Sequence, residues 1–307
     1  MSDLGRIISF MSFVPYIKQC VLFSLAALAM MHNVCLAEDK ALDFPKLSQE
    51  SLNTVQKTAT YRVKSIIDDV TLLMENGDII RLSSLDIPGR YKNPSPEHVI
   101  QAYEALESAF MGQNVILYQS MTNHKNHTNR MGHKTGHLVR SKDKVWAQGI
   151  LLSKGLARVR TTVTHHDLVS EMLAIEHISR EDASGLWSIE KYSIKSPENV
   201  TNELNSFQIV EGTIKAVASI NNTIFLNFGQ NWRNDFTIAL PVKLRRGFLN
   251  EGYDPLKWQG RSVRVRGWVE KYNGPFIEID HIQRLEFIDN LQPDSNNSTS
   301  RSSPEHR

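Results

Sequence analysis

A-T-Y-R-V-K-S-I-I-D-D-V-T-L-L-M-E-N-G-D-I-I-R-L-S-S-L, residues 59–85, is the stretch from which the fold is read. It alternates short β-favouring runs with turn residues: Y-R-V-K-S-I-I, then T-L-L-M, then D-I-I-R-L-S-S-L. E-N-G separates the last two, and Gly77 supplies the positive φ that a tight hairpin turn needs. Three strands in meander are predicted. After P-S-P, the residues Val99, Tyr103, Leu106 and Phe110 recur at spacings of four and three, an amphipathic helix that Gly112 ends. N-V-I-L-Y then returns as a strand, and Gly136 to Arg140 reads as another. Two more helices are expected: one from Lys144 to Lys154 closed by Gly155, and one from His166 to Ser184 closed by Gly185. Leu168, Met172, Ile175 and Ser179 mark one face of the second. Five short strands with a helix after the third describe a small barrel of the OB type, so the expected class is mainly β with helices, α+β.

Around this core the 307 residues divide further. Their 41% hydrophobic and 22% charged composition is that of a globular chain long enough for two cores. A net charge of +2 neither demands nor excludes a polyanionic partner, so any nucleic-acid argument must rest on local residues. Residues 1–37 read as a signal peptide: Arg6 and Lys18 precede the apolar run from Val21 to Met31, and Val34 to Ala37 offers small residues for cleavage after Ala37. An uncleaved anchor is the alternative, and Met11 is an alternative start. Both cysteines, Cys20 and Cys35, fall in this segment, so the mature chain would have neither thiol nor disulfide. Residues 38–57 are then a linker, 58–192 the first domain, 193–205 a polar linker, 206–289 a second domain and 290–307 a polar tail without an apolar face.

Seven segments of the first domain stand in a particular order. They are I-I-D-D-V-T-L from Ile66, G-D-I-I-R-L from Gly77, L-D-I-P from Leu85, M-G-Q-N-V-I-L from Met111, N-R-M-G-H from Asn129, L-L-S-K-G-L-A-R-V from Leu151 and A-S-G-L-W from Ala183. Their order resembles the thermonuclease (staphylococcal-nuclease-like) family, whose pattern reads I-D-G-D-T, R-L-x-x-I-D-T-P-E, G-x-x-V, D-R-Y-G-R, G-L-A and G-L-W. The resemblance implies the barrel fold and, for the family, phosphodiester hydrolysis. That chemistry uses calcium on carboxylates, a glutamate acting on water and two arginines on the phosphate.

Position by position, the implied site is incomplete. Arg81 matches the first arginine and Asp86 one calcium carboxylate, so Arg81 is the candidate catalytic and phosphate-binding residue. Val70 stands where the second aspartate would bind calcium, Gly89 where the glutamate would act, His133 where the second arginine belongs, and Ile87 replaces the threonine. Loss of a general base alone lowers rates by ~10² to 10⁴. Asp68 and Asp69 lie beside Val70 and are candidate replacement metal ligands with Asp86. Arg81 and Asp86 have a second reading, as a structural ion pair between neighbouring strands. His124, His127, His133 and His137 crowd one segment and are candidate zinc or copper ligands, or simply a polar loop.

The second domain repeats the pattern. F-Q-I-V-E-G-T-I-K-A-V, N-T-I-F-L-N-F-G and D-F-T-I-A-L-P precede a helical K-L-R-R-G-F-L-N-E. S-V-R-V-R-G-W-V-E, P-F-I-E-I and a last strand near Arg284 to Ile288 follow. A second OB-like barrel is expected, similar to the C-terminal extension of some bacterial thermonuclease-like proteins. Within it Trp232, Arg233, Phe236, Arg264, Arg266, Trp268 and Tyr272 mix aromatics with arginines, the ingredients of a platform for single-stranded nucleic acid. The competing reading places Phe236 and Val265 in the core and Arg264 and Arg266 in solvent.

The function expected from sequence is therefore an exported protein, periplasmic or secreted, whose degenerate nuclease barrel binds nucleic acid or another exported protein. Alternatives are an active calcium- or other metal-dependent nuclease and a metal-binding protein using the histidine segment. A membrane partner is expected only if the N-terminal segment stays attached.

Overall fold

β1 (Gln56–Asp68) carries the first barrel: its thirteen residues are long enough to pair with two neighbours. Its first half pairs with β5 (Asn114–Gln119), and its second half, past register shifts, with β2 (Thr71–Met74). The computed structural model describes residues 44–121, 127–231 and 233–288. β2 continues antiparallel into β3 (Ile79–Leu82) through the expected turn, where Gly77 holds φ +88° and Met74 accepts from its amide. β3 then runs parallel to β6 (Lys134–Arg140), which returns to β5 and closes a barrel of order β1-β2-β3-β6-β5. Ile80, Leu82, Leu117 and Leu138 are among the buried apolar side chains of its core.

The short helix α1 (Gln49–Leu52) precedes β1, and the two-residue β4 (Leu85–Asp86) follows β3. Helix α2 (Glu97–Phe110) lies where the four-and-three spacing put it and buries Val99, Leu106 and Phe110. The next two helices are shorter than expected. α3 spans Ala147–Ser153, because the Trp146 amide is given to Pro45 and the Val145 carbonyl to Arg140, leaving residues 144–146 outside the helix. β7 (Arg158–Val159) pairs with β4, and α4 spans Val169–Glu181 because Leu168 turns left-handed at φ 56°. Gly155 and Gly185 do more than stop helices: a Cβ on Gly155 would lie 2.1 Å from the Ser184 carbonyl oxygen, so only glycine permits this crossing. The crossing is tied by the Leu186 amide to the Gly155 carbonyl at 2.8 Å.

Seven further strands form one sheet: β8 (Ser206–Thr213), β9 (Ala216–Ile220), β10 (Thr223–Asn227), β11 (Thr237–Pro241), β12 (Ser262–Tyr272), β13 (Gly274–Glu278) and β14 (Leu285–Phe287). The order is β14-β12-β13-β11-β10-β9, with β8 pairing β12 along eight residue pairs and β11 parallel to β13. α5 (Val242–Asn250) follows β11. Phe236 and Val265 lie in its core, as expected.

From Phe44 onward the chain is one packed unit, and its two halves meet through charge. Arg266 of β12, 2% exposed, reaches Glu176 of α4, 0% exposed: Nη1 donates to Oε1 at 3.0 Å and Nη2 stands 2.7 Å from Oε2. Its Nε donates to Glu286 at 2.9 Å. The expectation that Arg266 either faces solvent or grips nucleic acid is therefore corrected. Period two chose its face, but α4 covers that face. Burial pulls the guanidinium pKa down, and the charges of Glu176 and Glu286 outweigh it, leaving the pKa raised. Removing one partner of such a pair strands the other, at a cost of about 3–5 kcal/mol. Glu176→Gln and Arg266→Met should each lower unfolding free energy by that order. Glu176→Leu combined with Arg266→Met should lose clearly less than the sum, and additive losses in urea titrations would show that the two side chains are not coupled.

Candidate functional site

Of the sequence candidates, Asp68, Asp69 and Val70 lie at the turn from β1 to β2, Arg81 on β3 and Gly89 in the turn after β4. Asp68 closes β1; its Oδ1 accepts from the Val70 amide at 2.9 Å, which shapes the turn into β2. The next two residues form the turn, and both are buried. Asp69 is buried at 4% exposure, and Val70, at 1%, joins the core. Val70 thus fills the place of a ligand with packing.

The cation facing the carboxylates is Arg90. Its Nη2 lies 2.7 Å from Asp69 Oδ1 and 3.2 Å from Asp68 Oδ1. Burial pushes the Asp69 pKa up to about 6, Arg90 opposes the rise, and the neighbouring Asp68 charge adds to it. Arg90 follows Gly89, whose φ of +78° and the 3.0 Å approach of an added Cβ to Pro96 disfavour any side chain at that position.

Arg81 is half-buried on β3 opposite Thr71, and its Nη1 donates to the Thr71 hydroxyl at 3.3 Å. Among the described residues it makes no ion pair. Asp86 does not join it. Arg158 donates to Asp86 Oδ2 through Nε at 3.1 Å and Nη2 at 2.8 Å, so the expected Arg81–Asp86 pair is replaced by an Arg158–Asp86 pair. The cause is topological: β4 pairs with β7, which places Asp86 opposite Arg158. Asp86 is thereby turned to a different cation from the one Asp68 and Asp69 share.

The histidines scatter. His137 is 2% exposed and packs 5.6 Å from the Trp146 ring, so it is a core side chain of β6 rather than part of a polar loop. Burial pushes its pKa down to about 3, keeping it neutral. Its ring nitrogens have no hydrogen-bond partner of normal geometry among the described residues. His127 Nε2 bonds the Ser120 carbonyl at 3.0 Å, and the His133 amide donates to Asn129 Oδ1 at 3.0 Å. His124 lies outside the described residues. Among the described residues no three His, Cys, Asp or Glu side chains stand together as metal ligands would.

In the second sheet, Arg264 donates to Glu211 at 2.7 Å and stands 3.7 Å from Glu286, so it is an internal counterion rather than a free platform cation. Arg233 is exposed beyond Asn231, and Trp232 lies outside the described residues. Arg90, Arg158 and Glu176 are the residues that sequence reasoning left without roles. Glu176 had a signal: it sits four residues after Met172 and three before Ser179, inside the buried stripe of α4. Set against protein-family models and against curated proteins, the chain matches neither.

A raised aspartate pKa has a definite sign. The native state holds the Asp69 proton up to about pH 6, whereas the unfolded chain releases it near 3.9, so Asp69 makes stability fall as pH rises between those values. Asp69→Asn should remove that fall. The check is the difference in unfolding free energy between parent and variant at pH 4 and pH 7, and a difference independent of pH would contradict it.

Proposed function

We propose that the chain is an exported thermonuclease-like protein whose barrel binds a partner instead of hydrolysing phosphodiesters. The observation that carries this reading is Arg90 on Asp68 and Asp69, at 3.2 and 2.7 Å. A hard divalent cation needs several oxygens converging on a point. Here a guanidinium takes two carboxylates, Arg158 takes the third, and Val70 and Gly89 offer neither ligand nor base. The closed barrel and the seven ordered sequence segments support the kinship. The second sheet, with three antiparallel strands, a helix and a parallel return, supports a second OB-like module. Export rests on the reading of residues 1–37, and no helix among the described residues is long and apolar enough to cross a membrane.

One observation favours a retained nuclease instead: Arg81 keeps its place on β3 without an ionic partner among the described residues, as a phosphate-binding arginine would. Incubating the protein with single-stranded DNA and calcium separates the two. The expected result is cleavage no faster than that of Arg81→Ala; cleavage that Arg81→Ala abolishes would establish the nuclease. Arg90→Ala should bind calcium or terbium more tightly than the parent, because it frees two carboxylates.

A further inference from the structure

The even-numbered side chains of β12 share one face of the second sheet. At its start Arg264 and Arg266 are consumed by Glu211, Glu286 and Glu176. Beyond Arg266 the face emerges from beneath α4 into solvent, where Trp268 is 46% and Tyr272 66% exposed. Cross-strand register widens this into a row over three strands. Phe207 of β8 stands opposite Trp268, Phe276 of β13 stands opposite Glu270, and the rings of Phe276 and Tyr272 lie 5.5 Å apart.

The first ring of the row already holds cations. The guanidinia of Arg158 and Arg160 lie 5.4 and 5.3 Å from the centroid of Phe207. Among the described residues no cation covers Trp268 or Tyr272. Glu270, between those two on the same face, and Glu278, two residues past Phe276, are exposed and make no ion pair with a described residue. The next open rings are therefore flanked by unpaired negative charge. A phosphodiester chain would be repelled by these carboxylates, since the arginines that would have held it are spent. A neutral glycan would gain nothing from their charge. A cation gains twice, from the ring face and from the carboxylate.

We propose that Trp268, Tyr272 and Phe276, with Glu270 and Glu278, form a docking surface for an extended basic segment of another protein, beside the buried Phe207 that Arg158 and Arg160 already cover. Its Lys or Arg side chains stack on Trp268 and Tyr272 and pair with the two carboxylates, continuing the arrangement that Arg158 and Arg160 make on Phe207. This names the partner class for the binding role proposed above and rests on that role. DNA cleavage would overturn the role. Absence of both cleavage and basic-peptide binding would overturn this inference alone.

The test titrates the full chain with a short synthetic peptide alternating arginine and serine, followed by tryptophan fluorescence and calorimetry. Trp268→Ala should weaken binding about two- to fivefold. Glu270→Gln and Glu278→Gln should each weaken it by a similar factor and flatten its salt dependence. Glu270 and Glu278 are exposed, so the thermal midpoint should stay unchanged in their variants, whereas Trp268→Ala also removes the half-buried contact opposite Phe207 and is read against Trp268→Phe. A peptide with glutamate in place of arginine should not bind. Unchanged affinity in all three variants, or preferential binding of oligothymidylate or a neutral oligosaccharide at this surface, would overturn the proposal.

Discussion

The contact between Arg266 and Glu176 constrains more of this molecule than any other. Two charges that are almost wholly removed from water have one acceptable arrangement, facing each other, because every slide of one half against the other separates them in a low-dielectric setting. The pair also recruits its surroundings. Glu176 Oε1 accepts from the Val159 amide at 3.2 Å, and Arg266 Nη1 approaches the Val159 carbonyl at 3.4 Å, so the edge of β7 is satisfied by side chains rather than by another strand. Helix α4, the β4–β7 pair and β12 thus meet at one set of polar atoms. The Thr161 hydroxyl bonded to His281 Nε2 at 2.7 Å, and Arg158 Nη2 donating to the Phe207 carbonyl at 2.9 Å, extend the same junction outward.

Several arginines act as internal counterions, while Arg81 makes no ion pair among the described residues. Arg90 serves Asp68 and Asp69, Arg158 serves Asp86, Arg264 serves Glu211, and Arg266 serves Glu176 and Glu286. A guanidinium fork committed to a carboxylate is unavailable to phosphate, which it would bind through the same donors.

The barrel was legible in the sequence because its signals are local. Gly77 can take the positive φ of the hairpin turn without steric cost, and the spacing of Val99, Leu106 and Phe110 makes one face whatever covers it. What the sequence hid was tertiary. Residues 144–146 have helical neighbours, yet their backbone groups are claimed by Pro45 and Arg140. Asp86 is near Arg81 along the chain but belongs to a strand that pairs elsewhere. Alternation along β12 correctly put Arg264, Arg266 and Trp268 on one face; it carried no information about α4, which buries the middle one and leaves the last in solvent.

The same distinction bears on the carboxylates beside Val70, where local sequence placed the residues and tertiary packing set their partners. Around Asp69 the charges already balance: Asp68 and Asp69 are met by Arg90, with Arg81 adding to the field that favours the ionised carboxylate. A calcium site needs the opposite condition, an excess of oxygen charge that only an added cation relieves. Val70 contributes to the core in place of a ligand, and Gly89 makes the turn that brings Arg90 to the carboxylates. These features support one another, since the left-handed Gly89 precedes Arg90 in the turn and Arg90 offsets the charge of the two neighbouring carboxylates. The barrel needs the apolar pattern of its strands and not the metal, so it persists while the electrostatics at its mouth are closed from within.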